Sequence, residues 1–387
     1  MRKALLFKFL LITLLSISLI ISSTGCRRLG IEIVDLMIIQ GIGIDKSTNG
    51  FIVTIEAINN VKNATVKGEG LIEKVSKIFV SEAESVAQAL EDAIRISGRE
   101  PLFAHNRVLI IGEETAKEGL SGMLDFFVRD YNAKPTVLLA IAKDATAQEL
   151  LQIEMNNEII VSLLLENILT ESHKHGNALR VRMFEGINWF MDDTHNLAVP
   201  AVLIKEDAKE NMLMVSGTAV FDKRNKLVGY LNDMETLGIA IFQHDFYKGF
   251  FNVYTSDGSN VTLRIENLRH AIKVVYEDEK VKLNFKVIAK CNIKGVESKM
   301  TNDITLEKAD EIARLAEKRI AQIVASTVNA ARNELKVDLM HIGKRLWITD
   351  VVAFESIRED WLEKLGSSDV QITTKVTIKR SGEEAIF

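Results

Sequence analysis

The feature that most constrains the fold lies in the last third of the chain, where two long alternating runs precede one long helical stripe. Residues 261–276 and 281–293 flank the acidic turn Glu277-Asp278-Glu279-Lys280. In the second run Val281, Leu283, Phe285 and Val287 alternate with Lys282, Asn284 and Lys286. Successive strand side chains point to opposite faces, so this hairpin buries one face and wets the other. From 306 to 335 the period changes. Ile312, Leu315, Ala316, Arg319, Ile320 and Ile323 recur at steps of three and four, which places one apolar stripe along a helix. Residues 370–379 alternate again. The expectation for 261–387 is an antiparallel sheet packed on a long helix, with the final run as its edge or outer strand.

Upstream, strand-like and helix-like runs alternate between 36 and 142, which predicts a sheet with helices on at least one face. Gly41-Ile42-Gly43-Ile44-Asp45 matches a phosphate-binding loop only in part. The third glycine is missing and a strand follows instead of a helix, so a bend or bulge at a strand end is the better reading. Ser81 and Glu84 have capping-box spacing before Val86, Leu90, Ala93 and Ile94. Further helices are expected around 120–128, over 147–169 and around 183–191. Pro200 precedes a strand-like run at 201–204, and 213–231 reads as a hairpin about 222–226. The class is α+β with three mixed domains: 26–205, a hairpin-rich 206–260, and 261–387.

The first 25 residues are expected to stand apart from this body. Arg2, Lys3 and Lys8 precede an uncharged apolar run over 9–21, and Ser22-Ser23-Thr24-Gly25 leads directly to Cys26. A basic start, an apolar stretch and small residues form a secretory signal. Small residues directly before a cysteine are the ending of a bacterial lipoprotein signal, whose thiol takes a diacylglycerol. Cys26 is therefore the candidate lipidation site and 1–25 the candidate signal peptide. The alternative is an uncleaved anchor, for which 9–21 falls short of the roughly 20 apolar residues a spanning helix needs. Two acyl chains give stable attachment where one is marginal. Arg27 and Arg28 would add attraction to anionic headgroups.

A net charge of −5 gives no electrostatic footprint for nucleic acid. Cys291 is the only cysteine besides Cys26, so an acylated Cys26 leaves no intramolecular disulfide. His173, His175 and His195 are candidate metal ligands, but no cysteine or further histidine completes a zinc-site spacing, and a solvated loop competes. His105 precedes a buried strand, and neither Ser97 nor Ser121 sits in a nucleophile elbow. Arg129 and Asp130 read as an ion pair at a helix end, with anion binding by Arg129 as the alternative. No constellation reads as an active site, so no catalytic, cofactor or metal residues are assigned and a non-enzymatic role is expected. The competing classes are a lipid-anchored envelope hydrolase using His105 or the 173–195 histidines, and a solute-binding lipoprotein, which needs two similar lobes.

Several short stretches, in order over nearly the whole chain, resemble one family. They include Gly25-Cys26, Gly41-Ile42-Gly43-Ile44-Asp45-Lys46, His105-Asn106-Arg107-Val108-Leu109-Ile110-Ile111-Gly112, Leu124-Asp125-Phe126-Phe127-Val128-Arg129-Asp130, Gly217-Thr218-Ala219-Val220-Phe221-Asp222, and the Asp338, Gly343 and Trp361 region. The chain is similar to the C-subunit lipoproteins of spore-germination nutrient receptors, the Ger(x)C family. It departs from the pattern at Ser23 and at Arg27, where the family often has an aliphatic residue and a tryptophan. The resemblance implies a non-enzymatic germinant-receptor subunit, anchored through acylated Cys26 on the outer face of the spore inner membrane. It also implies three α+β domains and polytopic membrane subunits as partners.

Overall fold

In the computed structural model the described residues are 12–16 and 33–379, except for 60–73, 121–122, 124–125, 128, 130–133, 155–158, 191–193, 195, 208–210, 244–245, 247 and 298–305. Two sheets organise them.

The larger sheet begins with β1 (Leu36–Ser47), β2 (Gly50–Ile58) and β3 (Ser76–Ala83). After helix α1 (Val86–Ser97) come β4 (Glu100–Leu102), β5 (Val108–Gly112), α2 (Glu113–Glu118) and β6 (Leu138–Ala142). Helices α3 (Ala147–Leu151), α4 (Val161–Lys174) and α5 (Met183–Phe190) precede β7 (Ala198–Lys205), β8 (Met212–Phe221) and β9 (Leu227–Leu231). The strand order is β3-β2-β1-β5-β6-β7-β8-β9, with β4 paired to β1. The centre, β1-β5-β6-β7, is parallel and both margins are antiparallel. A parallel centre needs crossovers that lay helices over the sheet, so its strands are buried on both faces. Val108 and Ile110 pack into one cluster while Leu109 and Ile111 pack into the other.

The smaller sheet has the order β10-β11-β12-β13, formed by Gly249–Tyr254, Asn260–Glu277, Lys280–Glu297 and Asp369–Lys379. Asp278 and Glu279 take positive φ at the tip of the β11–β12 hairpin, the conformation of a tight two-residue turn. Val281, Leu283, Phe285, Val287, Ala289 and Cys291 are buried on one face of β12, as the alternation predicts. Cys291 is fully buried and unpaired. Helix α6 (Asp233–Ala240) joins the sheets. Helix α7 (Leu306–Asn329) covers the smaller one, with Ile312, Ala316, Ile320, Ile323, Val324 and Val328 buried. The helical path continues through a wider turn at Ala330–Glu334. Three short helices follow: α8 (Ile342–Thr349), α9 (Val351–Ile357) and α10 (Trp361–Gly366).

The fold is α+β, and the smaller sheet packs on the long helix. Its last strand differs from the expectation: β13 runs parallel to β12, pairing Lys282 with Asp369 and Asn292 with Lys379. The cause is the connection. The helices between β12 and β13 return the chain to the start of β12, and such a crossover can only add a parallel strand. The segment expected as a middle domain, 206–260, is divided in space. Its β8 and β9 extend the larger sheet, and its β10 opens the smaller one.

Other local expectations shift as well. Ser81 remains in β3 and its hydroxyl donates to the Ala89 carbonyl. Helix α1 is instead capped by Ser85, whose Oγ accepts from the Gln88 N–H at 3.2 Å. The stretch 147–169 is not one helix, since α3 ends at Leu151 and α4 starts at Val161. Pro200 lies within β7 beside a bulge, one of the few places a paired strand accommodates proline. The helix expected around 120–128 is described only in part, with Met123, Phe126, Phe127 and Arg129 helical.

Candidate functional site

Cys26, the one lipidation candidate, lies outside the described residues, as do His195 and Asp130. His105 is exposed in a single helical turn before β5. His173 is buried, with Nδ1 3.2 Å from the Ala178 carbonyl oxygen, so its ring closes the end of α4. His175 is exposed and its ring lies 5.5 Å from that of Phe250. Among the described residues no group of His, Cys, Asp or Glu has metal-site geometry.

The buried polar groups tie elements together. Glycines 41 and 43 do not end a strand; β1 runs through them to Ser47, with a bulge between Ile39 and Gly41. Their lack of a side chain admits helices. A Cβ on Gly41 would fall 2.0 Å from Ser162 Oγ, and one on Gly43 would fall 3.0 Å from Ala147 Cβ. Buried Asp45 then caps α3, accepting from the N–H groups of Ala147 at 2.7 Å and Gln148 at 2.9 Å. Burial pushes the Asp45 carboxyl above the usual carboxylate range, and those two hydrogen bonds pull it back.

Glu56 on β2 does the same for α4. Its carboxylate accepts from Val161 N–H at 2.9 Å, Ser162 N–H at 2.7 Å and Ser162 Oγ at 2.5 Å. Arg107 spans the same layer, donating through Nε to Gln40 Oε1 at 2.9 Å and pairing with Glu166 at 2.5 Å. Helix N-termini carry unpaired N–H groups and a positive dipole end, so a buried carboxylate is a suitable partner there.

The third knot joins the sheets. Asn196, just before β7, accepts from the Asp338 N–H at 2.9 Å and donates through Nδ2 to the Phe221 carbonyl at 3.1 Å. The fully buried Asp338 carboxylate accepts from the N–H groups of Met340, Ile342 and Gly343 at 3.2, 3.0 and 2.7 Å, and from Trp361 Nε1 at 3.3 Å. Burial raises its pKa against the pull of those four donors. Gly343 lets the indole approach closely, since a Cβ there would stand 3.0 Å from Trp361 Nε1. In the sequence Asp338, Gly343 and Trp361 stand out only through the family resemblance; the structure makes them one hydrogen-bonded unit.

That unit sets the pose of α8 and α9, which present the most conspicuous apolar surface of the body. Trp347, Ile348, Val351 and Val352 are 43, 66, 50 and 81% exposed. Their spacing puts two on the last turn of α8 and two on the first turn of α9, across the Asp350 cap that accepts from Ala353 N–H at 2.9 Å. Contiguous exposed apolar side chains mark contact surfaces more often than isolated ones do. Beside them opens a cleft of about 660 Å³ between α5, α6 and α8. Sequence reasoning names neither, because the residues come from elements far apart in the chain or need a known helix pose.

Two family models cover most of the chain. The spore germination protein N-terminal domain matches residues 30–204, and the spore germination B3/GerAC-like C-terminal domain matches residues 216–382. Spore germination protein KC of Bacillus subtilis (strain 168) is 22% identical, with 97% of this chain and 96% of that protein covered. A second protein of that organism, YfkR, is 20% identical over 93% of each chain. Among solved structures, the crystal structure of the GerBC protein superposes with a TM-score of 0.58 at 18% identity, covering 90% of this chain and 100% of that one. The likeness to GerBC carries the fold, and the two models together carry the family: the chain belongs to the Ger(x)C family of spore germination proteins.

Proposed function

We propose that this protein is the lipid-anchored, non-enzymatic subunit of a germinant (nutrient) receptor, acting in receptor assembly and signalling during spore germination. The observation that carries the reading is the pair of family models spanning the body of the chain in order. The sequence 1–26 supports an anchor: a basic start, an apolar run and small residues before Cys26. Diacylglycerol on Cys26 would hold the body at the outer face of the spore inner membrane. The partners are polytopic subunits of the receptor. The exposed Trp347, Ile348, Val351 and Val352 supply an apolar surface for such a contact. The buried carboxylates support a role by contact, because Asp45, Glu56 and Asp338 are engaged in capping and not presented to solvent.

Cys26→Ala tests the anchor. Membrane fractionation of spores carrying this variant is expected to show loss of the protein from the inner-membrane fraction, with nutrient germination reduced and germination by non-nutrient triggers intact. Full membrane retention with a normal nutrient response would overturn the reading.

A further inference from the structure

The outward face of the smaller sheet carries a charge that neither its packing nor the α8–α9 contact uses. Arg269 and Lys273 on β11, Lys286 and Lys290 on β12, and Lys375 and Lys379 on β13 are all exposed there. Register brings them together across three strands. Arg269 lies opposite Ile288 and Ile288 opposite Lys375, and the next row is Ala271, Lys286 and Thr373. Among the described residues, none of the six side chains has a hydrogen-bond or ion-pair partner. The acids of this face lie at its ends. Glu266 is paired with Arg264, and Asp369 is in register with Lys282, which already binds Glu277 and Asp278. A soluble surface ordinarily intersperses both signs, and this chain has a net charge of −5. A field of one sign on one face therefore runs against the charge of the whole, and such a field steers what approaches it.

We infer that this face docks on an anionic lipid surface. Neighbouring strands lie about 4.8 Å apart and same-face residues about 7 Å apart along a strand, so the cations form a flat lattice that meets a plane of headgroups together. A protein partner would call for a pocket with aromatic or arginine anchors at its centre. The positions between these cations are instead Ala271, Ile288, Thr373 and Thr377. Five of the six cations are lysines, compact charges on flexible stems that suit diffuse attraction, whereas the arginine fork suits a fixed pair of oxygens. Basic residues close to an anionic leaflet each add attraction, which fades within a Debye length. The inference stands apart from the acylation of Cys26. It fixes how the body is turned toward the bilayer, not whether it is attached.

The test uses the full chain carrying Cys26→Ala and Thr373→Cys, labelled with a nitrobenzoxadiazole probe and reconstituted in vesicles. Position 373 is exposed on this face, and the buried Cys291 stays unlabelled. Vesicles containing phosphatidylglycerol are expected to raise the emission above that in phosphatidylcholine alone. Salt at about 1 M, where the Debye length is about 3 Å, is expected to cancel the rise. Lys286→Glu, Lys290→Glu and Lys375→Glu combined are expected to lose most of it. Lys77→Glu, Lys223→Glu and Lys226→Glu combined make the same charge change at exposed positions of the larger sheet, and are expected to keep it. A probe placed through Ala325→Cys, on the exposed side of α7, is expected to show no rise. Emission that ignores phosphatidylglycerol, or that rises equally in the folded sheet-face variant, would overturn the inference. A probe blind to phosphatidylglycerol that responds instead to added receptor subunits would assign the face to an acidic protein and overturn it equally.

Discussion

In the nine-stranded sheet, helices α3 and α4 are seized at their N-termini by carboxylates that project from β1 and β2. In the four-stranded sheet, helix α7 is held along its length by an apolar stripe, while the opposite sheet face carries Lys282, Lys286 and Lys290 into water. The first arrangement is positional: each carboxylate fits one pair of N–H groups, and each facing glycine admits one backbone approach. The second is distributive, since an apolar stripe tolerates small shifts at modest cost. Asp338 and Asn196 apply the positional device where the two sheets meet, and the exposed α8–α9 corner is what that joint holds in place.

Breaking the joint should have the largest effect. Asp338→Ala leaves four buried donors without an acceptor, and a loss of about 3–5 kcal/mol in unfolding free energy is expected by denaturant titration. Gly41→Ala attacks the positional packing of the larger sheet, since Ser162 Oγ is held by Glu56 and cannot yield freely. A cost of about 1–3 kcal/mol is expected, whereas Ala325→Gly, on the exposed side of α7, should cost about 1 kcal/mol from helix propensity alone.

A pH series sharpens the same contrast. The folded Asp338 carboxyl holds its proton above the ordinary aspartate pKa of about 3.9, so the native state binds more protons than the unfolded one in that interval. Its contribution therefore falls as pH rises from the ordinary aspartate range through the raised value. The difference in unfolding free energy between the wild type and Asp338→Asn should shift accordingly across that window. A flat difference would show that the carboxyl is ionised throughout. The smallest readout is chemical. Burial pushes the Cys291 thiol up to about 12, so in the Cys26→Ala protein it should resist alkylation at neutral pH until the chain is unfolded.

Much of the distributive architecture is legible in the sequence, because alternation and helical period are local signals. The β11–β12 hairpin, its acidic turn and the α7 stripe follow from spacing alone. Pairing direction is not local, which is why β13 was expected in an antiparallel sheet and lies parallel beside β12. The positional devices are nearly invisible for the same reason. Glu56 and Val161 are 105 residues apart, and nothing in either neighbourhood marks a cap. The glycines of β1 are visible as unusual, but only the helices across from them explain their absence of side chains. The α8–α9 surface depends on the helix pose, since the sequence pattern alone does not separate Trp347 from Trp361. The structure buries Trp361 and exposes Trp347.

The buried polar groups Asp45, Glu56 and Asp338 are committed to the fold, and the proposed contact role falls to the exposed apolar corner of α8 and α9. Ile348→Asp combined with Val352→Asp tests it most directly, because both side chains are exposed and folding should change by no more than about 0.5 kcal/mol for each. The measurement is co-purification of the polytopic receptor subunits from spore membranes, with melting temperature and membrane retention recorded on the same preparation. Loss of co-purification from a folded, membrane-retained variant is the expected result. Undiminished co-purification would contradict the assignment of that corner as the contact surface.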